Sequence, residues 1–269
     1  MRIVSLQPSV TLTLHALGQL HHLCAVTKYC VEALPEIGAR NLPILHDSWS
    51  ADTPQIVATR PDLVIASVPY RMESLAAILK SGLPVLALAP RTLADIDNDI
   101  RLIASVVQAP NAAETLIASM HSTIAEVRTR SASAPTRPLV YCEEWGKPLI
   151  HSQHWIAELV EAAGGRFLGV PGSHTTPEAV AAANPDVLLF AWCGAGDRVP
   201  LERVINQRQW HFLPVVQNRR VFCIPDEYCN TPAPTLLNGL TCIAHATHPT
   251  LFPPPPRLIQ LAAQDALSK

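Results

Sequence analysis

Residues 111–131 constrain this chain more than any other stretch. Ala113, Leu116, Ile117, Met120, Ile124 and Val127 recur at three- and four-residue steps, which puts them on one face of a helix. Asn111 is placed to cap the first turn, with Glu114 at the capping-box position three residues on. Ala109-Pro110 stops whatever precedes the segment, and Pro135 and Pro138, in a run of small and polar residues, stop the segment itself. At about 1.5 Å per residue the helix is roughly 30 Å long, about one domain diameter. A rod of that length, with α/β patterning before and after it, predicts two bodies joined by a stiff connector and a ligand held between them.

On the amino-terminal side, short apolar runs at residues 2–6, 24–26, 63–66 and 85–88 read as buried strands. Helices are expected over 10–17 with Ser9 as cap, from Thr53-Pro54, over 72–81, and over 93–107. The loop after the second strand holds Tyr29 and Cys30, and an irregular segment over 41–52 holds Trp49. On the carboxyl-terminal side, strands are expected at 139–142, 167–168, 187–191 and 221–224. Helices are expected over 155–163 with Ser152 as cap, 176–183 and 234–245, with a short terminal one over 259–267 after the prolines at 253–256. Strands alternating with helices predict parallel sheets covered by helices. Thr53-Pro54 to Ala66 also matches Thr176-Pro177 to Ala191, each with a Pro-Asp joint before the strand, as a duplicated unit requires. The expected fold is α/β: two parallel-sheet lobes, 1–110 and 138–249, bridged by a single long helix at 111–131, with a Pro-rich tail at 250–269.

Composition narrows the function classes. Hydrophobic residues make up 48% of the 269 and charged ones 16%, so the chain folds rather than staying disordered. A net charge of -2 offers no basic footprint for nucleic acid. No apolar run reaches the roughly 20 residues of a membrane span. Met1 leads straight into a strand with no signal region, and seven cysteines form no regular framework, so a cytoplasmic, monomeric protein is expected.

Several pieces together resemble the cobalamin and iron-siderophore substrate-binding proteins of ABC importers. These are the opening Arg2 to Ser9 with Leu17-Gly18, the run Pro61 to Ala66, and Glu158 to Gly165 with its Gly-Gly turn. The resemblance covers about residues 1–249 and is greatest to the cobalamin branch. It implies two α/β lobes bridged by one long helix, no catalysis, and a cobalamin-like corrinoid or another chelated-metal or tetrapyrrole ligand in the interlobe cleft. By position it implies that Tyr29, Trp49 and Tyr228 line that cleft. A flat macrocycle needs broad apolar faces with polar edges, which Trp and Tyr supply. Trp145 and Trp192 follow two later strands and are expected to grip the ligand's edges from across the cleft. Tyr70 and Arg71 follow the strand ending at Ala66, where Arg71 would pair with acidic substituents. The family docks to its membrane subunit through one glutamate per lobe. Glu178 matches the second, which also suits its own helix start. The first falls at Thr53-Pro54-Gln55, which has no glutamate, and Asp52 is the nearest carboxylate.

Other chemistry is less well supplied. His151/His154 and His245/His248 stand at helical spacing, but a zinc site wants three or four ligands. Cys30, Cys142, Cys193 and Cys229 sit in expected cleft loops, as small hydrophobes or as an axial ligand to a bound metal. Glu143 and Glu144 are the candidate acid–base pair for an enzyme acting on the same ligand, although neighbours on a strand point to opposite sides.

Overall fold

The computed structural model describes residues 1–47 and 49–262. The chain divides into two compact units, Met1–Met120 with Pro232–Pro234, and His121–Thr231 with Thr235–Lys269. The division falls inside the longest helix.

The first unit runs β1 (Ile3–Ser5), α1 (Pro8–Ala16), β2 (Leu23–Thr27), α2 (Lys28–Ala33), β3 (Ile44–Leu45), α3 (Thr53–Ala58), β4 (Leu63–Ser67), α4 (Met72–Lys80), β5 (Val85–Leu88), α5 (Leu93–Val106) and the start of α6 (Pro110–Ser131). Its five strands pair in the order β3-β2-β1-β4-β5, all parallel. Val4, Leu6, Ala25, Val64 and Ala66 lie at the centre of its core with Ile56 and Ile78 from the covering helices. These strands read as continuous apolar runs because both faces of a parallel sheet are buried.

The second unit continues with β6 (Leu139–Gly146), β7 (Leu149–His151), α7 (His154–Ala162), β8 (Arg166–Phe167), β9 (His174–Thr175), α8 (Pro177–Ala183), β10 (Val187–Phe190), α9 (Leu201–Arg208), α10 (Pro214–Gln217), β11 (Val221–Cys223), α11 (Leu236–Thr247) and β12 (Ile259–Gln260). Its sheet is ordered β12-β11-β10-β6-β7-β9, with β8 also beside β6. β6, β8, β10 and β11 are parallel, whereas β7, β9 and β12 run against their neighbours. The second sheet is therefore mixed, not purely parallel as expected.

The long helix is continuous, and Ala113, Ile117, Met120, Ile124 and Val127 are its buried apolar positions, with Leu116 of the expected face only half-buried. It begins at Pro110, not at Asn111, so Asn111 lies inside its first turn. The Glu114 carboxylate takes the Arg101 guanidinium at 2.7 Å. Other caps differ in the same way: Gln7 precedes α1 with Pro8 in its first turn, and Gln153 precedes α7. Proline's fixed φ starts a helix without a side-chain acceptor, which makes Ser9 redundant as a cap. The segment after β2 is helical, not a loop, because Thr27 caps it by accepting from the Cys30 backbone N–H. The matched segments also differ by one position, since Asp52 caps α3 while Thr176 caps α8. Residues 259–260 form a strand against β11 rather than a helix, 261–262 are not helical either, and 263–267 of that expected helix lie outside the described residues.

Candidate functional site

In the first unit β1 lies between β2 and β4, so successive connections leave it in opposite directions. Such a switch opens a crevice at the strands' carboxyl ends. All four candidates of this unit lie on that edge. Tyr29 is in the first turn of α2 after β2, Trp49 follows β3, and Tyr70 and Arg71 follow β4. Two of them meet directly: the Arg71 guanidinium lies 4.7 Å from the centre of the Trp49 ring. A second cation–aromatic pair stands beside β2, with the Lys28 ammonium 4.7 Å from the Tyr29 ring centre. Trp49 is 49% exposed, yet its backbone is held. Asp47 Oδ1 accepts from the Trp49 and Ser50 backbone N–H groups at 3.0 and 2.8 Å, and Ser74 Oγ donates to the Trp49 carbonyl at 3.3 Å. Tyr70 is half-buried and packs on the core. Gln7 Nε2 donates to the Pro69 carbonyl at 2.8 Å, tying the ends of β1 and β4 together.

In the second unit Trp192 and Tyr228 again follow parallel strands, whereas Trp145 lies within β6 rather than after it. The strand expected at 139–142 runs on as β6 to Gly146 and turns back as β7 in a hairpin. Trp145 is 43% exposed near the hairpin's tip, where its Nε1 donates to the Lys147 carbonyl at 2.8 Å. Trp192 stands just past β10, the strand beside β6. Trp145 and Trp192 therefore belong to adjacent strand ends of one unit and do not face each other across a gap. Trp192 Nε1 donates to Glu143 Oε1 at 2.8 Å, and its indole lies so close to Gly146 that a Cβ there would sit 2.5 Å from Cζ2. Tyr228, beyond β11, is half-buried with the Arg257 guanidinium 5.4 Å from its ring centre. Arg257 is itself paired with Glu227 at 2.6 Å and Asp197 at 3.3 Å. Asp226 accepts from the backbone N–H groups of Gly194 and Gly196 at 2.7 and 2.9 Å, binding the loop after β10 to the segment after β11.

Glu143 and Glu144 are not a catalytic pair. The Glu143 side chain is fully buried, and both of its oxygens are occupied. Arg208 Nη1 and Nη2 donate to Oε2 and Oε1 at 2.8 and 2.7 Å, Trp192 shares Oε1, and the Tyr141 hydroxyl donates to Oε2. Glu144 is half-buried, accepts from Gln153 Nε2 at 2.6 Å, and has its carboxyl pushed up to about 7 by burial, against the lowering effect of that hydrogen bond. A carboxyl that holds its proton more tightly when folded stabilises the fold at low pH and loses that contribution as pH rises toward 7. Urea unfolding from pH 4.5 to 7.5 should show Glu144→Gln gaining on the parent by roughly 2–3 kcal/mol, at about 1.4 per pKa unit. Parallel curves for the two proteins would show that Glu144 titrates normally.

Neither histidine pair forms a shared site among the described residues. His151 lies on β7 and His154 opens α7, so they share no helix face. His245 Nδ1 contacts the Phe252 carbonyl at 2.8 Å, and His248 packs on Gly164. Cys30, Cys142 and Cys229 are buried, the first against Thr27 Oγ1 at 3.3 Å, and Cys193 is exposed. Among the described residues no three His, Cys, Asp or Glu side chains are placed to hold a metal ion. Glu178 is exposed in the first turn of α8, where its own backbone N–H and the Thr176 hydroxyl keep its carboxyl below the usual range. Asp52 is occupied as the cap of α3, accepting from the Gln55 N–H.

Three participants escaped sequence reading. Arg208 belongs to α9, whose amphipathic spacing at Leu201, Val204 and Ile205 was the available signal. Lys28 carried a signal as Tyr29's neighbour. Arg257, in the Pro-rich tail, carried none, because it reaches Tyr228 only through the tertiary fold.

The model of the family described as "Periplasmic binding protein" matches residues 3–228. A vitamin B12-binding protein of Pectobacterium atrosepticum is 26% identical over 222 residues, covering 77% of each chain. Among solved structures, a periplasmic heme-binding protein from Roseiflexus sp. RS-1, in apo form, superposes with a TM-score of 0.80 at 25% identity, over 93% of this chain and 98% of that one. A periplasmic heme-binding protein from Pseudomonas aeruginosa superposes with a TM-score of 0.86 at 19% identity, over 98% and 99% of the two chains, which is a likeness of fold.

Proposed function

Because this chain belongs to the periplasmic binding protein family, we propose that it is the substrate-binding protein of an ABC importer, or a cytoplasmic derivative of one. Its ligand is a flat metal tetrapyrrole, a cobalamin-like corrinoid or a heme. One observation carries this reading: aromatic rings backed by cations stand past the strand ends, with Arg71 on Trp49 and Lys28 on Tyr29. Rings supply the apolar area that a macrocycle face needs, and cations suit acidic groups at its rim. Cobalamin is fringed mainly by neutral amides, whereas heme carries two carboxylates. Arg71 and Lys28 thus favour a carboxylate-bearing ring, while the B12-binding relative favours a corrin.

Titration of the purified protein with hemin and with cyanocobalamin, followed by absorbance and calorimetry, separates the two. At least one should bind with a visible spectral change, and Trp49→Ala should weaken it about tenfold, the worth of one ring contact of 1–1.5 kcal/mol. Arg71→Ala should weaken hemin and spare cyanocobalamin. Neither heat nor spectral change with either ligand would end the proposal. The same mixtures, watched for conversion of the ligand, test the alternative of an enzyme working through Glu144, the half-buried carboxyl that titrates near neutrality. Conversion abolished by Glu144→Gln would replace the carrier reading. Seven free thiols support a reducing compartment. Among the described residues no helix is long and apolar enough to cross a membrane.

A further inference from the structure

Trp192 is held from three directions. Its N–H is tied to the buried Glu143 carboxylate at 2.8 Å, Gly146 abuts the six-membered ring, and the Phe190 ring meets it edge-on at 6.4 Å and 88°. The anchor is rigid in turn. Arg208 takes Glu143 with two hydrogen bonds, and its guanidinium lies 4.9 Å from the Trp210 ring centre and 5.6 Å from that of Phe190. With the Tyr141 hydroxyl on Oε2, the carboxylate has two donors on each oxygen. Stability alone does not explain such a device. A buried ion pair loses so much hydration that apolar side chains of similar volume often serve as well or better. What apolar side chains cannot do is accept a hydrogen bond from an indole and so fix its plane.

We infer that the buried Glu143–Arg208 pair is a positioning device that holds Trp192 in one orientation at the ligand-facing edge of the second unit. Its consequence for affinity rests on the proposed function. Glu143 and Arg208 touch no ligand; they act through the indole. Preorganisation of this kind strengthens binding by removing the entropy cost of ordering a side chain when the ligand arrives.

The test uses the full chain labelled with 5-fluorotryptophan, the Trp192 resonance being assigned with Trp192→Phe. In ligand-free protein, Glu143→Met combined with Arg208→Met should shift and broaden that resonance while those of Trp49, Trp145 and Trp155 stay in place. The hemin or cyanocobalamin dissociation constant should rise at least tenfold. Glu143→Gln combined with Arg208→Met restores an uncharged acceptor to the indole and should recover both the sharp resonance and most of the affinity, a rescue that a merely structural pair would not show. If the double-Met protein does not fold, Gly146→Ala displaces the indole from its other side with the buried pair intact, and should give the same two changes. A sharp, unmoved Trp192 resonance in the folded variants, or a displaced indole with unchanged affinity, overturns the inference. If the parent binds neither hemin nor cyanocobalamin the proposed function fails, while the ligand-free resonance still decides the positioning.

Discussion

Arg208→Met by itself should lower the unfolding free energy by about 3–5 kcal/mol, the largest loss expected from any single replacement around the candidate site. The guanidinium contributes two hydrogen bonds to a carboxylate whose side chain has no exposure to water. Methionine fills much of the same volume between Phe190 and Trp210, so little packing is lost. What remains is a buried anion holding only the Tyr141 hydroxyl and the Trp192 N–H. Neither neutral donor offsets the missing hydration of a full charge. Urea unfolding at pH 7 measures the loss. Replacing Glu143 by Met in the same protein should recover most of the deficit, since the pair then disappears as a unit. A single-variant loss below about 1 kcal/mol, or a double variant no better than the single, would mean that water reaches Glu143 and that the pair is not desolvated as the geometry requires.

Gly239→Ala should be the second large effect, and its sign opposes simple helix propensity. Gly239 lies inside α11, where alanine ordinarily gains about 1 kcal/mol over glycine. Here a Cβ would sit 2.2 Å from the Tyr228 carbonyl oxygen and 3.1 Å from its carbonyl carbon. Both are backbone atoms, and no side-chain rotation relieves the overlap. The segment carrying Tyr228 must move away or the helix must shift, at a cost of about 1–3 kcal/mol as in an overpacked core. Because Tyr228, its Arg257 partner and the Asp226 tether move together, ligand affinity should fall alongside stability. Thermal and urea unfolding with a parallel hemin titration would read both. An alanine protein as stable as the parent would show that α11 does not approach Tyr228 this closely.

Much of the fold was legible because its signals are local. The apolar runs at residues 63–66, 85–88 and 187–191 are strands, and the spacing of Ala113, Ile117, Met120, Ile124 and Val127 marks the buried face of α6. Periodicity and turn residues act within a few positions, so a chain carries them without reference to its partners. Boundaries were less legible. Proline at α1 and α6 starts the helix without a side-chain acceptor, and Thr27 forms one that composition leaves open. The short strands β7, β9 and β12 were missed because two- or three-residue segments carry no period, and the pairing partners of β9 and β12 lie far along the chain.

Local pattern alone established an α/β chain with one long uninterrupted helix near its middle, expected over 111–131, and aromatic residues placed at or after its strand ends. It determined these because helix and strand formation answer to nearest neighbours. Only the tertiary structure decided what those residues do. It seated Arg71 on Trp49, turned Glu143 inward to Arg208 and Trp192, and brought Arg257 from the tail to Tyr228. Each is a choice between water and another side chain tens of residues away. Burial makes that choice, and burial is a property of the packed whole that no local pattern encodes.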